Sequence, residues 1–343
     1  MIADQNAAVR YGQAGELLGG TESPRRGLAA DEVRVAPAYV GICGTDLHIY
    51  LGHMDGRVAP GTVLGHESSG IVTEVGAGVE GWAPGDHVCV DPVVSCGVCR
   101  TCRTGLAHVC PDLKILGIDA DGAMQGDWIV PARNLVRIGA DVDLRTAGLI
   151  EPLAVAVHDV RRSRLVANER ALIVGAGPVG LLIAMTARDA GAQVQVVEVN
   201  EHRRAIARSL GFDATAPDEL VARADADNAP DVAFEVSGAA AGLTTAYTSL
   251  TPGGRMVVVG IHSEPRELDL RSLFEREVEI LGARLYARED FERAVGLVES
   301  GRVDPAPLIS DIVGFGSAGR AFDRLLASGT EMKILLSATP PGA

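Results

Sequence analysis

ALIVGAGPVGLLIAMTARDAGAQVQVVE, residues 171–198, reads as a strand, a tight turn, a helix and a second strand. The apolar run 171–174 leads directly into Gly175, Gly177 and Gly180, and from Pro178 and Val179 onward the apolar spacing becomes helical. The spacing Gly-x-Gly-x-x-Gly has a physical reading: the first glycine permits the turn, the second lets backbone approach a pyrophosphate, and the third lets helix and strand pack closely. The helix N-terminus then faces the anion. A glycine triplet alone is weak evidence. Here the following strand ends in Glu198, about twenty residues on, where a ribose-hydroxyl acceptor is expected. That carboxylate would repel a 2′-phosphate and so favours NAD over NADP, with Arg203 as a mild counterweight. A glycine-rich turn in another α/β protein is the plainer alternative.

Further apolar strand candidates (DVAFEVS, 231–237; RMVVVGI, 255–261; ILGARLY, 280–286) alternate with helical stretches such as 202–211. Continuous β-branched runs suit a parallel sheet covered on both faces, so residues 152–286 are expected to form a doubly wound Rossmann domain. Upstream the pattern differs. EVRVAPAYV (32–40), SSGIVTEVG (68–76) and DHVCVDPV (86–93) are short strands bounded by Gly and Pro, which predicts an all-β, barrel-like unit. After a helical segment at 288–301 the tail returns to short strand candidates and is expected to rejoin the first domain, giving 1–151 with 287–343.

The 343 residues suit about two domains, and 47% apolar content provides for a core. A formal net charge of −14 argues against nucleic acid or an anionic membrane as partner. The apolar run 171–187 is interrupted by Gly175, Gly177, Pro178 and Gly180, so it does not read as a membrane span. The segment MIADQNAAVRYG lacks the features of a secretory signal, and a cytoplasmic location with reduced thiols is expected.

Four of the six cysteines, Cys96, Cys99, Cys102 and Cys110, stand at Cys-x2-Cys-x2-Cys-x7-Cys. Four thiolates on one short loop close a tetrahedron around Zn²⁺ with no open position, which describes a structural site. An iron–sulfur cluster is the rival reading, and Pro111 follows the last cysteine, but the seven-residue gap suits neither common ferredoxin run. A second set is spread wider: Cys43 in GICGTDLHIY, then His66 and Glu67 in GTVLGHESSG. A thiolate, an imidazole and a carboxylate are what a catalytic zinc needs if it keeps one position for water or substrate. Singly, each has a dull explanation, because a free Cys is often a small buried hydrophobe and a lone His a core residue.

Read together, GICGTDLH (41–48), GHESSGIVTEVGAGV (65–79), PGDHVCV (84–90), the four-cysteine lobe, EPLAVAVH (151–158), GAGPVG (175–180) and KILL (333–336) resemble the medium-chain zinc-dependent dehydrogenases over almost the whole chain. Within them the chain is most similar to the sorbitol, butanediol and threonine dehydrogenase branch. The resemblance implies a GroES-like β domain carrying two zincs, with a Rossmann domain inserted. It implies that Cys43 and His66 ligate the catalytic zinc, with Glu67 as ligand or close neighbour. Glu151 matches a carboxylate at or near the metal, where simple alcohol dehydrogenases have a second cysteine. Thr45 and His48 match a proton relay, and Lys333 a basic residue meeting the cofactor pyrophosphate. Cys89, Asp46 and the histidines other than His48 and His66 are expected to be structural or solvated.

The implied activity is reversible, zinc-dependent hydride transfer from a secondary alcohol (polyol, vicinal diol or cyclitol) to NAD, by a homotetramer or dimer. The alternatives are a threonine-type amino-alcohol dehydrogenase and a catalytically inactive zinc- and nucleotide-binding relative.

Overall fold

The computed structural model describes residues 8–19, 26–222, 228–327 and 329–338; the first seven residues of the segment read above for a leader lie outside this set. The chain divides into two compact units, residues 1–151 with 287–343, and residues 152–286. Among the described residues no helix is long and apolar enough to cross a membrane.

In the first unit the ten-residue strand β1 (Glu32–Gly41) organises a seven-stranded mixed sheet. Its apolar residues Val33, Val35 and Val40 are buried. Pro37 has no N–H to give the ladder, and the register shifts between Pro37 and Tyr39. β1 pairs antiparallel with β2 (Glu67–Val75), β2 with β3 (His87–Val90), and β3 with β5 (Leu135–Arg137), while β4 (Trp128–Pro131) pairs with the start of β1. The tail supplies two parallel strands, Ile309–Gly314 and Lys333–Ser337, and the latter lies antiparallel to the end of β1. As a result Gly41 stands opposite Glu67 on one side and Leu335 on the other. Residues some 270 positions apart in sequence therefore meet at the end of one strand.

The second unit is a six-stranded, wholly parallel sheet. Its strands are β6 (Arg170–Val174), β7 (Gln193–Val197), β8 (Asp213–Thr215), β9 (Val232–Glu235), β10 (Arg255–Val258) and β11 (Glu279–Gly282). In space they run β8-β7-β6-β9-β10-β11. That order reverses between β6 and β9, which makes their carboxyl ends the switch point where doubly wound sheets bind ligands. β6 and β9 are central, and residues 171–174 and 232–235 are buried. Leu172, Val174, Val197, Ala233 and Met256 form a core with Leu243, Ala246, Tyr247 and Leu250 on one face of the sheet. Ile173, Val196, Phe234 and Val257, which alternate with these along their strands, are buried as well, which meets the two-sided apolar demand that the sequence pattern carries.

Candidate metal centres and dinucleotide site

The four-cysteine lobe is built from two single-turn helices, Arg100–Arg103 and Ala107–Val109, too short to hold themselves together. The sulfurs of Cys99 and Cys102 are 3.4 Å apart, Cys96 and Cys110 3.5 Å, Cys99 and Cys110 3.8 Å, and Cys96 and Cys102 3.9 Å. These separations exclude disulfides, whose S–S bond is about 2.05 Å. They fit the edge of about 3.8 Å that four 2.3 Å zinc–sulfur bonds in a tetrahedron require. The Thr101 hydroxyl and the Cys102 N–H lower the Cys99 thiol pKa to about 6, towards the thiolate a metal needs.

The second centre is assembled by β1, β2 and the helix α1 (Gly44–Tyr50) that follows β1. Ligand atoms of Cys43, His66 and Glu67 lie within 4.8 Å of one another, with His66 and Glu67 buried. Cys43 precedes α1, and its N–H donates to Asp46 Oδ2 at 2.9 Å. Asp46 is fully buried, and its Oδ1 sits 3.7 Å from His66 Nδ1; neither of those two atoms has a hydrogen-bond partner. Burial opposes a charge on His66, but Asp46, Cys43 and then Glu151 outweigh it and raise its pKa well above the ordinary range. Surroundings that favour a proton on this imidazole equally favour a divalent cation. Glu151, 5% exposed, adds its charge to the field that raises the His66 pKa but is not among the ligand atoms that converge within 4.8 Å. The donor set fits zinc, with an outer carboxylate placed to orient the histidine.

Lys333, expected to meet the cofactor pyrophosphate, is 3% exposed, and its ammonium is engaged within the first unit. Its Nζ donates to Glu67 Oε2 at 2.7 Å, Glu67 Oε1 at 2.9 Å and the Ile42 carbonyl at 3.1 Å. An ammonium has three hydrogens, and these acceptors use them all. Burial opposes its charge, but Glu67 and then Cys43 outweigh that and raise its pKa. The Glu67 carboxylate lies over Gly41, where any Cβ would collide with Oε2.

Thr45 lies half-buried in the first turn of α1 and His48 is exposed near its end. His48 Nδ1 is 3.1 Å from Nδ1 of His53, a residue the sequence offered no reason to single out. Asp46 was likewise read as structural, although its place three residues after Cys43, where a side chain can reach back to an N-cap N–H, was the available signal.

In the second unit the three glycines divide their roles by geometry. Gly175 has φ +109°, a value L side chains rarely adopt. Gly177, the N-cap of the helix α2 (Pro178–Asp189), faces open space. A Cβ on Gly180 would collide with the Gly175 carbonyl. Pro178 takes the first helical position, where no N–H is missed, and Val179 follows it. Glu198, just past β7, accepts from Ala176 N at 2.7 Å and Asn200 N at 2.8 Å, so its carboxylate is fixed against the glycine turn. Arg204, not Arg203, braces this strand end, donating to the carbonyls of Glu198 (2.6 Å) and Val199 (2.8 Å). Arg203 contributes its backbone N–H to Asn200 Oδ1 at 3.1 Å.

Residues 29–140 match the family described as alcohol dehydrogenase GroES-like domain, and residues 178–300 the family described as zinc-binding dehydrogenase. The chain is 45% identical to a 2-dehydro-3-deoxy-L-galactonate 5-dehydrogenase of Pseudoalteromonas atlantica, over 90% of this chain and 92% of that one. It is 33% identical to an L-threonine 3-dehydrogenase of Bacillus velezensis, over 92% and 94%. A solved zinc-binding dehydrogenase of Sinorhizobium meliloti bound to NADP matches with TM-score 0.89 and 30% identity, covering 96% of this chain and 98% of the other. The chain belongs to the zinc-binding alcohol dehydrogenases, with a GroES-like domain and a Rossmann domain. It is an oxidoreductase acting on CH–OH donors, oxidising a secondary alcohol with zinc and a nicotinamide dinucleotide as cofactors.

Proposed function

We propose that the protein oxidises a secondary hydroxyl of a sugar acid or related polyol to the ketone, reversibly, with NAD. The observation that carries the reading is the cluster of half-buried Cys43 with buried His66 and Glu67, a mixed donor set in a chain that also carries a dinucleotide turn. Zinc held there supplies Lewis-acid polarisation of the alcohol oxygen, and the dinucleotide accepts the hydride. Cys43 and His66 hold the metal, with Glu151 at or near it and Asp46 orienting the imidazole. Glu67, neutralised by Lys333, is a weaker donor than an unpaired carboxylate would be. Thr45 takes the alcohol proton and His48, at the exposed end of α1, passes it outward. The four cysteines hold a second zinc that staples the lobe. Gly175, Gly177, Pro178, Val179 and Gly180 take the pyrophosphate, and Glu198 takes the ribose hydroxyls.

The preference for NAD rests on Glu198, whose carboxylate is held in place by two N–H groups and would face a 2′-phosphate as a like charge. The sugar-acid class follows the 45% identical relative, which acts on such a substrate, ahead of the 33% identical threonine enzyme. The intact donor set speaks against an inactive relative. Leu270 and Phe274, four residues apart on the helix Leu270–Arg276 and 72% and 83% exposed, support assembly with further copies. Six cysteines with no disulfide among them fit the reducing cytoplasm. Zinc-loaded protein assayed with NAD and NADP against sugar acids, polyols, vicinal diols and threonine should form NADH fastest with a sugar acid. Turnover of threonine alone would replace this reading with the amino-alcohol one, and turnover of nothing in the panel would sink both.

A further inference from the structure

β9 ends in Glu235, a carboxylate with no solvent exposure in a sheet whose other central strands end in valine. A buried charge is costly, and it persists where its hydrogen bonds fix something an apolar side chain would leave loose. Oε1 accepts from Ser237 Oγ at 2.6 Å, Ser237 N at 2.9 Å and Gly238 N at 2.9 Å. Oε2 faces His262 Nε2 at 2.9 Å, and the Glu235 carbonyl accepts from the N–H groups of Val259 and Gly260, each at 2.9 Å. Arg266 Nε donates to His262 Nδ1 at 3.4 Å, which leaves the imidazole's hydrogen on Nε2, pointing at Glu235. Glu264 lies 3.7 Å from Arg266.

One side chain thus ties the loop after β9 to the loop after β10. It reaches the glycine turn as well. A Cβ on Gly175 would stand 3.2 Å from Ser237 N and 3.4 Å from its Cα, so the turn after β6 rests directly on the backbone that Glu235 holds. Gly260 is similarly confined, because a Cβ there would lie 2.8 Å from Glu235 Oε2. The carboxyl ends of β6, β9 and β10 are the middle of the ligand-binding edge of the sheet, beside the point where strand order reverses.

We infer that Glu235 and His262 are positioning residues for the dinucleotide, holding the ends of β9 and β10 as a fixed floor against which the glycine turn is set. The inference rests on the dinucleotide reading of that turn. Ser237 and Gly238 spend their N–H groups on Glu235, so the cofactor's phosphates are left to the turn and the N-terminus of α2, while the floor contributes shape. Without His262, Oε2 loses the donor that ties the carboxylate to the loop after β10, and a buried carboxylate oxygen is left unsatisfied while Oε1 keeps its bonds to the loop after β9.

The test is calorimetric binding of NAD to the zinc-loaded full chain, with steady-state kinetics, zinc content and melting temperature measured on the same preparations. His262→Ala should weaken NAD binding about tenfold while lowering kcat at saturating NAD less than about threefold. His262→Gln, whose amide can still donate to Oε2, should recover affinity to within about threefold of wild type. Unchanged affinity in His262→Ala would overturn the positioning role, as would a His262→Gln protein as impaired as His262→Ala with both melting early. Wild-type protein that bound no dinucleotide would overturn the reading of the turn itself, an outcome separate from wild-type binding that is indifferent to residue 262.

Discussion

At the residue scale the sharpest lesson is Lys333. A basic residue in a dinucleotide enzyme reads naturally as a phosphate ligand, yet its ammonium is consumed by Glu67 and the Ile42 carbonyl. The sequence could not reveal this, because the pairing depends on the register that sets Gly41 between Glu67 and Leu335. Breaking a buried pair by removing one partner costs about 3–5 kcal/mol, since the other charge is stranded. Lys333→Met should therefore melt early, and adding Glu67→Gln should restore much of the loss; additive losses in the double-mutant cycle would refute the pairing. NAD affinity of the folded Lys333→Met protein should stay near wild type, where a pyrophosphate ligand would have lost it. Glu151 poses a different question, being legible only through the motif around it. Its charge helps raise the His66 pKa, while the ligand atoms that meet within 4.8 Å are those of Cys43, His66 and Glu67. Glu151→Ala should lower kcat by orders of magnitude at full folding, whereas a mere surface ion pair would cost little. A variant with normal turnover and full zinc content would remove Glu151 from the site.

Elements differ in how much of their stability their own residues carry. The strand, turn and helix at residues 170–189 were legible because every local choice agrees: β-branched strand, positive-φ glycine, proline at the first helical position, and a glycine where helix meets turn. The brace on the next strand end was not, since Arg203 and Arg204 are neighbours in sequence and only the helix phase of Glu201–Ser209 selects Arg204. The cysteine lobe is the opposite case. Its spacing announces a metal, but its two single-turn helices have little cohesion of their own, and the four sulfurs converge on a point that only a cation makes favourable. Cys99→Ser should accordingly lower the melting temperature and expose the stretch from Val94 to Leu113 to limited proteolysis. A variant as protease-resistant as wild type would show that the lobe is held by its polypeptide instead.

For the whole molecule, the discontinuous first unit was suggested by the return of short strands in the tail, but its reason lies in the sheet: the strand Lys333–Ser337 completes the edge of β1 and delivers Lys333 to Glu67. Both candidate metal centres fall in that unit, at residues 43–151, and every candidate dinucleotide residue from Gly175 to Glu198 falls in residues 152–286, which have their own parallel sheet and core. Chemistry needs both sets, whereas NAD binding on this assignment needs only the second. Removing zinc with a chelator should therefore abolish alcohol oxidation and lower the thermal stability of the first unit, because a structural zinc contributes its binding free energy to folding. The same protein should still bind NAD by calorimetry with an affinity within about threefold of the metal-loaded form, and NAD should raise a melting transition by mass action. Two resolved transitions, only one of them sensitive to chelator and only the other to NAD, are the expected signature. If zinc removal instead abolished NAD binding, the residues that hold the dinucleotide would have to include part of the first unit, and the division of labour drawn from the glycine turn and Glu198 would fail.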